Sequence, residues 1–533
     1  MNALRARSLL GARHSSGASH RPERHWSGAL PATSRFFGVL LFALGASQAH
    51  AQTANFDDKP TGFLTVRTGG MAADAWNGTS LATAKRLVSA LPAAPRSRAL
   101  RDLQFKVLVS ELTPPTPDGS PPPSLFARKV EKLAAMGEGE SLNEMVRSAG
   151  GYLDPTSATT VANAMMMAGE RQGACAIVRN WELTEPFARR ADAACRLLAG
   201  ESAGAIPPSG QLDGPAIMML DLSHAQPPTA ALSSTQPPVI RALVGLKSLP
   251  IATRLDIAER GEALAIVEAT RLGDLYVEAV RDGAALPPAM ARRAQLVAAA
   301  RNAANPDEII NSIIAVYGEA RGSPLFPTIA RASAAGLLNL PAKPQFARVA
   351  QEAMRGFLLL GDKQQAKTWT KLALSTAYND PQAMTALDRL LPLAAVAGID
   401  DPKRLPPVEV NRWYDVLRHD DPARAPLRGF LLLELFRATG IDVPPGSTEL
   451  PDAPPANIRL VTPAAATLQA LQAAAAGGRR AETSLLASIA AGETPLGELH
   501  PAGVAAIVRA LRQVGEDHAA RLFAIEVAIA YGL

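Results

Sequence analysis

Apolar residues recur with a helical period along most of this chain after residue 80, and many of these runs end in the same short turn. The turn reads Gly-(Glu/Asp)-x-x-x-Ala in four copies, at Gly169, Gly200, Gly361 and Gly515, and a looser copy at Gly137 lacks the alanine. Glycine leaves a helix through a left-handed conformation without steric cost. The acidic residue then lies near the start of the next helix, where negative charge is favourable. The pattern predicts helix hairpins.

The spacing of the first three turns predicts how the hairpins are arranged. Gly137, Gly169 and Gly200 follow one another at intervals of 32 and 31 residues. Periods of this length are typical of stacked helix hairpins. An alanine-rich chain also produces such turns by chance, but four copies behind apolar helical runs favour a repeat. The sequence therefore predicts an all-α fold, an α-solenoid of stacked antiparallel hairpins with Pro-rich breaks.

Proline-rich stretches divide the chain into segments. The expected order is a signal peptide at 1–51, a flexible N-terminal segment at 52–79, N-terminal repeats at 80–205, a Pro-rich irregular break at 206–238, central repeats at 239–440, a Pro-rich linker at 441–463 and a C-terminal helical cap at 464–533.

Composition agrees with close-packed helices. Hydrophobic residues make up 47% of the chain and aromatic residues only 5%, so the core consists mainly of Ala and Leu. A β-sandwich would require more aromatic and β-branched residues in alternating patterns.

The first 51 residues have the features of an export signal. Six arginines precede or flank an apolar core at 36–46, and Ala49-His50-Ala51 supplies a small-x-small site for cleavage between Ala51 and Gln52. Eleven apolar residues are too few to cross a bilayer, which takes about 20, so a retained anchor is the weaker interpretation. We therefore expect a periplasmic protein with no membrane span once the signal is removed.

Removal of the signal changes the charge balance. The whole chain has 54 basic and 49 acidic residues, and residues 1–51 contain six arginines and one glutamate, so 48 of each remain. A formally neutral protein gives no support for nucleic-acid or anionic-membrane partners.

One motif raises the possibility of hydrolase chemistry. Gly200-Glu201-Ser202-Ala203-Gly204 matches G-x-S-x-G, which holds a nucleophilic serine between a strand and a helix. Here an amphipathic helix precedes Ser202 and prolines follow it. The structural interpretation, a hairpin turn at Gly200, is favoured over a catalytic serine. No other catalytic, cofactor-binding or metal-binding motif is evident, so we predict no cofactor.

Cys175 and Cys195 are the only two cysteines. In an exported protein an even pair suggests a disulfide, and both residues are expected at similar heights on antiparallel helices. Two buried free thiols are the alternative. A metal site would need more ligands than two distant thiols.

The hairpin signature at 165–178 and 358–370 resembles tetratricopeptide or Sel1-like repeats. The Ala-rich ending around Gly515 resembles that of exported helical-repeat proteins of alphaproteobacteria. The resemblance implies a binding scaffold. We therefore expect a non-catalytic scaffold or adaptor that binds another cell-envelope protein or peptide. The alternative is an envelope hydrolase, or an auxiliary domain of a system that processes peptidoglycan or polysaccharide.

Overall fold

The chain is entirely helical in the part that the structure describes. The computed structural model describes residues 56–151, 153–202, 212–400, 402–444, 446–456 and 458–533. These ranges contain 24 α-helices, five short 3-10 helices and no β-strand. The predicted all-α fold class is therefore confirmed. The signal segment 1–51 and its cleavage site between Ala51 and Gln52 lie outside the described residues.

Eight helices, α1 to α8, form the N-terminal part. They span Leu81–Ala90, Arg98–Val109, Leu125–Ala135, Gly139–Ser148, Pro155–Met167, Arg171–Asn180, Phe187–Leu198 and Gly214–Ser223. Side chains cap five of them: Ser80, Ser97, Ser124, Asp154 and Asp213 each accept a hydrogen bond from a backbone N–H of the first turn. These caps satisfy amides that have no partner within the helix.

Twelve helices, α9 to α20, form the central part. They span Pro237–Gly245, Ile251–Ala263, Ala269–Arg281, Pro288–Asn302, Pro306–Ala320, Phe326–Leu338, Ala350–Leu359, Lys363–Ala377, Pro381–Asp388, Leu391–Val396, Pro407–Asp420 and Ala425–Ala438. Many of them pack against the next helix in the sequence, as in a solenoid. Several begin with proline, which lacks the N–H that a helix start leaves unpaired.

Four helices, α21 to α24, end the chain. They span Ala465–Ala476, Arg480–Ala491, Pro501–Gln513 and Asp517–Ala530. The 3-10 helices span Phe56–Asp58, Val66–Thr68, Thr229–Ser233, Pro344–Val349 and Leu496–Glu498. Among the described helices, none combines the length and the apolar character that crossing a membrane requires.

The repeated turn has the same backbone geometry at all five positions. Gly137, Gly169, Gly200, Gly361 and Gly515 have φ values of 76°, 82°, 78°, 68° and 82°, in the left-handed region that favours glycine. In each turn the N–H of the following acidic residue donates to the carbonyl five residues earlier, which is the Schellman pattern of a helix end. The alanines at 174, 366 and 520 are fully buried, whereas position 205 lies outside the described residues.

The C-terminal helices contact the beginning of the described chain. Helix α22 packs against α1 and α2, and α24 packs against α2, α15, α18 and α20 as well as α23. Residues 56 to 533 belong to one compact unit. The segment 464–533, which we expected to be a cap tethered by the linker 441–463, instead joins the first helices to the central ones. The apolar faces of the helices in this segment are therefore covered by other helices on several sides.

Two other segments differ from the expectations. The predicted irregular break at 206–238 contains α8 and a 3-10 helix, although 203–211 lies outside the described residues. The lead-in at 52–79, expected to be flexible, is packed from residue 56 onward. Met71 and Trp76 are each only 2% exposed, and Lys129 Nζ donates to the Thr61 carbonyl at 2.9 Å. Contacts from distant helices hold a segment that has no helical period of its own.

Candidate functional site

One repeated turn, at Gly361, lies against the helix that follows another, at Gly515, far away in the sequence. Gly361 joins α15 to α16, and Gly515 joins α23 to α24. A Cβ atom at Gly361 would lie 3.2 Å from His518 Cε1 and 3.3 Å from Leu522 Cδ2. The Gly361 turn therefore touches the first turns of α24.

A pocket of about 130 Å³ lies at this junction. Its apolar surface comes from Phe357, Leu358, Ala397, Leu522 and Ile525, and its polar surface from Lys363, Asp517, His518 and Arg521, with Gly361 between them. An apolar cavity of about 150 Å³ accommodates a group the size of benzene. The pocket is thus similar in size to one branched aliphatic or small aromatic group. Gly137, Gly169 and Gly200 do not line it.

Asp517 is neutralised by two arginines. Arg512 Nε and Arg521 Nε lie 2.7 and 2.9 Å from its two carboxylate oxygens. Burial opposes ionisation of Asp517, but these hydrogen bonds outweigh it and hold the pKa below its ordinary value. Arg521 Nη1 also donates to the Val396 carbonyl at the end of α18, at 2.9 Å. These bonds fix the wall of the pocket.

His518 adds a polar side chain to the pocket without adding charge. Burial lowers the pKa of its imidazole, and the nearby Lys106 ammonium lowers it further. The ordinary value for histidine is about 6.5, so this imidazole is neutral at pH 7 and has one N–H donor and one acceptor nitrogen.

Two cationic side chains converge on Gly398, just after α18. A Cβ atom at this glycine would lie 2.8 Å from Arg521 Nη1 and 3.0 Å from Lys363 Nζ. Among the described residues no carboxylate pairs with Lys363, whereas Asp517 already has two arginine partners. The pocket therefore combines cationic and apolar side chains in its lining. Chemically, the arrangement is suited to binding an anion that has an apolar group attached.

A second polar cluster lies in the interior, where α2, α10 and α14 meet. The carboxylate of Glu262 is inaccessible to solvent. It accepts hydrogen bonds from Arg98 Nη2 at 3.0 Å and from Arg331 Nε and Nη2 at 2.7 and 3.0 Å. Burial would raise the pKa of Glu262, but the charges of Arg331 and Arg98 outweigh burial and lower it to about 2. This carboxylate therefore has a structural role, because it links the three helices.

Glu526 on α24 lies close to the same arginines, but its pKa is shifted in the opposite direction. Burial raises its pKa to about 7, against the attraction of Arg331 and Arg98. A carboxyl group with such a pKa is a candidate for acid–base chemistry. However, Glu526 is only 7% exposed, and its oxygens accept from the Ser97 hydroxyl and the Ala99 N–H. We interpret it as a structural contact between α24 and the start of α2.

No family model, curated protein or solved structure matches this chain. The site is therefore described from its own geometry. Among the described residues there is also no cluster of three or more His, Cys, Asp or Glu side chains that could hold a metal ion.

The two cysteines lie at disulfide distance. Cys175 on α6 and Cys195 on α7 have Sγ atoms 1.97 Å apart and Cα atoms 5.6 Å apart. They lie on neighbouring helices that pack against each other. The two cysteines are distant in sequence from the residues that line the pocket, and neither of them lines it.

Ser202 follows a helix and a turn rather than a strand. Helix α7 ends at Leu198, and the Glu201 N–H donates to the Arg196 carbonyl at 2.9 Å, which closes the turn around Gly200. A nucleophile elbow requires a strand before the serine, and none precedes Ser202 in the described part of the chain. Ala203 and Gly204 lie outside the described residues.

The pocket residues were not apparent from the sequence. Lys363, Ala397 and His518 are distant along the chain and belong to no motif. The only signal was indirect: two of the Gly-acid turns, at Gly361 and Gly515, are followed directly by Lys363 and by Asp517-His518. Nothing in the sequence indicated that the Gly361 turn contacts α24.

Proposed function

We propose that this chain is an exported helical-repeat scaffold that binds another cell-envelope protein, or a peptide segment of one, without catalysing a reaction. The predicted signal at 1–51 supports export, and the resemblance to tetratricopeptide or Sel1-like repeats supports a binding role. The all-α array of packed hairpins is compatible with both.

The observation that carries the proposal is an exposed apolar side on α16. Tyr378, directly after the helix, is 82% exposed, and Leu374, one turn earlier, is 37% exposed. Residues four apart lie on the same helix face. The opposite face is buried through Trp369 and Ala373. Tyrosine is enriched in protein interfaces and among the residues that contribute most binding energy, so we assign partner contact to the Leu374–Tyr378 face.

The test is site-specific photo-crosslinking in the periplasm. A photoreactive amino acid at position 378 should give one discrete adduct with an envelope protein, whereas the same group at Gln364, exposed at the other end of α16, should not. Affinity purification should then recover that partner with the parent protein and lose it with Tyr378→Ala. Val66→Ala, which alters another exposed apolar residue, should retain it.

The proposal fails if no discrete adduct forms at 378, or if Tyr378→Ala recovers the partner as well as the parent does. Turnover of ester, glycan or peptide substrates by the purified protein would instead support the envelope hydrolase alternative.

A further inference from the structure

We infer that the pocket between the Gly361 turn and α24 is a binding site for a small apolar carboxylate, that is, a carboxylate attached to a branched aliphatic or small aromatic group. The site includes Lys363 at the start of α16, whereas the Leu374–Tyr378 face lies at the end of the same helix. The inference does not depend on the proposed scaffold function.

The charge of the pocket selects an anion. Lys363 Nζ and Arg521 Nη1 approach the same backbone position, at Gly398. The carboxylate that lines the pocket, Asp517, already accepts from two arginines. A ligand anion placed beside Lys363 would therefore compensate a charge that has no carboxylate partner among the described residues. Charge-assisted hydrogen bonds of this kind are the stronger ones.

The apolar surface favours an anion that carries an apolar group. Phe357, Leu358, Leu522 and Ile525 line the pocket together with the cationic side chains. The volume of about 130 Å³ is close to that of a cavity that accepts benzene. An inorganic anion would leave this apolar surface in contact with water, whereas an isobutyl or phenyl group would cover it.

The Gly361 turn keeps the pocket open. Its φ of 68° is in the left-handed region, and a side chain at this position would extend toward His518 and Leu522. The neutral imidazole of His518 offers a hydrogen-bond donor without adding a second charge. Glycine at this position therefore both adopts the left-handed backbone conformation and leaves space for a ligand.

The test is calorimetric titration of the purified protein with three matched probes. These are 4-methylpentanoate, its uncharged amide, and acetate, which has the charge but no apolar group. We expect saturable binding of 4-methylpentanoate with a Kd at or below about 1 mM, and binding at least about tenfold weaker for the amide and for acetate. Equal affinity for the acid and its amide would overturn the inference, as would the absence of saturable binding up to about 10 mM of the acid, well above that Kd.

Two variants and one control locate the site. Lys363→Met should weaken binding of the acid about tenfold, whereas Lys371→Met, an exposed lysine two turns along the same helix, should leave it unchanged. Leu522→Trp should abolish binding by filling the pocket. Unchanged affinity in Lys363→Met or in folded Leu522→Trp, with folding judged by circular dichroism, would contradict the assignment.

Peptides distinguish the two sources of such a carboxylate. A six-residue peptide ending in leucine should bind in its free-acid form and not in its C-terminally amidated form. Tighter binding of the free-acid peptide than of 4-methylpentanoate identifies the ligand as a chain terminus, and the reverse identifies a free acid. A preference for the amidated peptide would overturn the inference.

Discussion

The hydroxyl of Ser97, which begins α2, donates a hydrogen bond of 2.5 Å to the buried carboxylate of Glu526 on the last helix. The Ala99 N–H donates to the same carboxylate. Glu526 therefore acts as an N-terminal cap for α2 from a distant part of the chain. This contact ties α24 to the N-terminal helices, and α24 also packs against α15, α18 and α20.

The raised pKa of Glu526 predicts pH-dependent stability. The carboxyl pKa is about 7 in the folded protein and near its ordinary 4.5 when unfolded. Between these values the folded state binds more protons than the unfolded state, so the free energy of unfolding should fall as pH rises from about 4.5 to 7. Glu526→Gln cannot ionise. Its stability relative to the parent should therefore increase by about 3 kcal/mol between pH 4.5 and pH 8.

Urea unfolding of both proteins at these two pH values measures this change. Glu498→Gln, an exposed glutamate close to the start of α23, is the control and should leave the pH dependence unchanged. If Glu526→Gln follows the pH profile of the parent, the pKa of the carboxyl group is not raised in the folded protein and our account of this contact is wrong.

The Glu262 cluster predicts the opposite pH dependence. Because its pKa is lowered to about 2, its contribution to stability is complete above pH 4.5 and is lost as pH falls toward 2. Glu262→Gln leaves Arg98 and Arg331 buried without their carboxylate. Removal of one partner of a buried ion pair typically costs about 3–5 kcal/mol, and we expect a loss in that range at pH 7, measured by urea unfolding.

Glu268 provides a matched control because it pairs with the same arginine. Its carboxylate lies 3.5 Å from Arg98 Nη1, and its side chain is 49% exposed. Glu268→Gln should cost less than about 1 kcal/mol, as exposed ion pairs do. Similar losses in the two variants would show that burial does not set the strength of the Glu262 cluster.

Local features of the fold could be predicted from the sequence. The turns at Gly169-Glu170 and Gly361-Asp362 depend on the backbone of a few neighbouring residues, and glycine is the residue that adopts positive φ without strain. The burial of Ala174 and Ala366 also follows from short-range packing across a hairpin. A helical period and a turn signal are sufficient for such predictions.

The long-range contacts could not be predicted in the same way. Glu138 follows a repeat turn, but its carboxylate pairs with Arg101 at 2.7 Å and with Arg241 at 2.9 Å, on α2 and α9. A charge on a helix usually indicates a solvated face. Which charges are buried, and which distant elements contact each other, depends on how helices such as α24 pack against helices far away in the sequence. A single sequence does not reveal these contacts.

Two glycines test the role of the Gly361 turn. Gly169→Ala and Gly361→Ala both place a side chain at positive φ, which costs roughly 1–2 kcal/mol. A Cβ at Gly169 meets nothing within 4 Å, whereas one at Gly361 meets His518 and Leu522. We expect both variants to lower the melting temperature, Gly361→Ala more so. Only Gly361→Ala should shift the His518 imidazole signals in NMR spectra. Equal shifts in both variants would contradict the contact between this turn and α24.

The final prediction concerns Cys175 and Cys195. Because the two cysteines lie on neighbouring helices with Cα atoms 5.6 Å apart and the chain has no other cysteine, we expect non-reducing peptide mapping of the exported protein to recover one peptide pair linked through them. A bridge closing a loop of this length should contribute about 3 kcal/mol by restricting the unfolded chain. Dithiothreitol should therefore lower the melting temperature of the parent and leave that of the double variant Cys175→Ser/Cys195→Ser unchanged. Recovery of two free thiols after alkylation, or a parent insensitive to reduction, would mean that the two sulfurs are neighbours in the fold without being bonded, because packing of α6 on α7 alone brings them together.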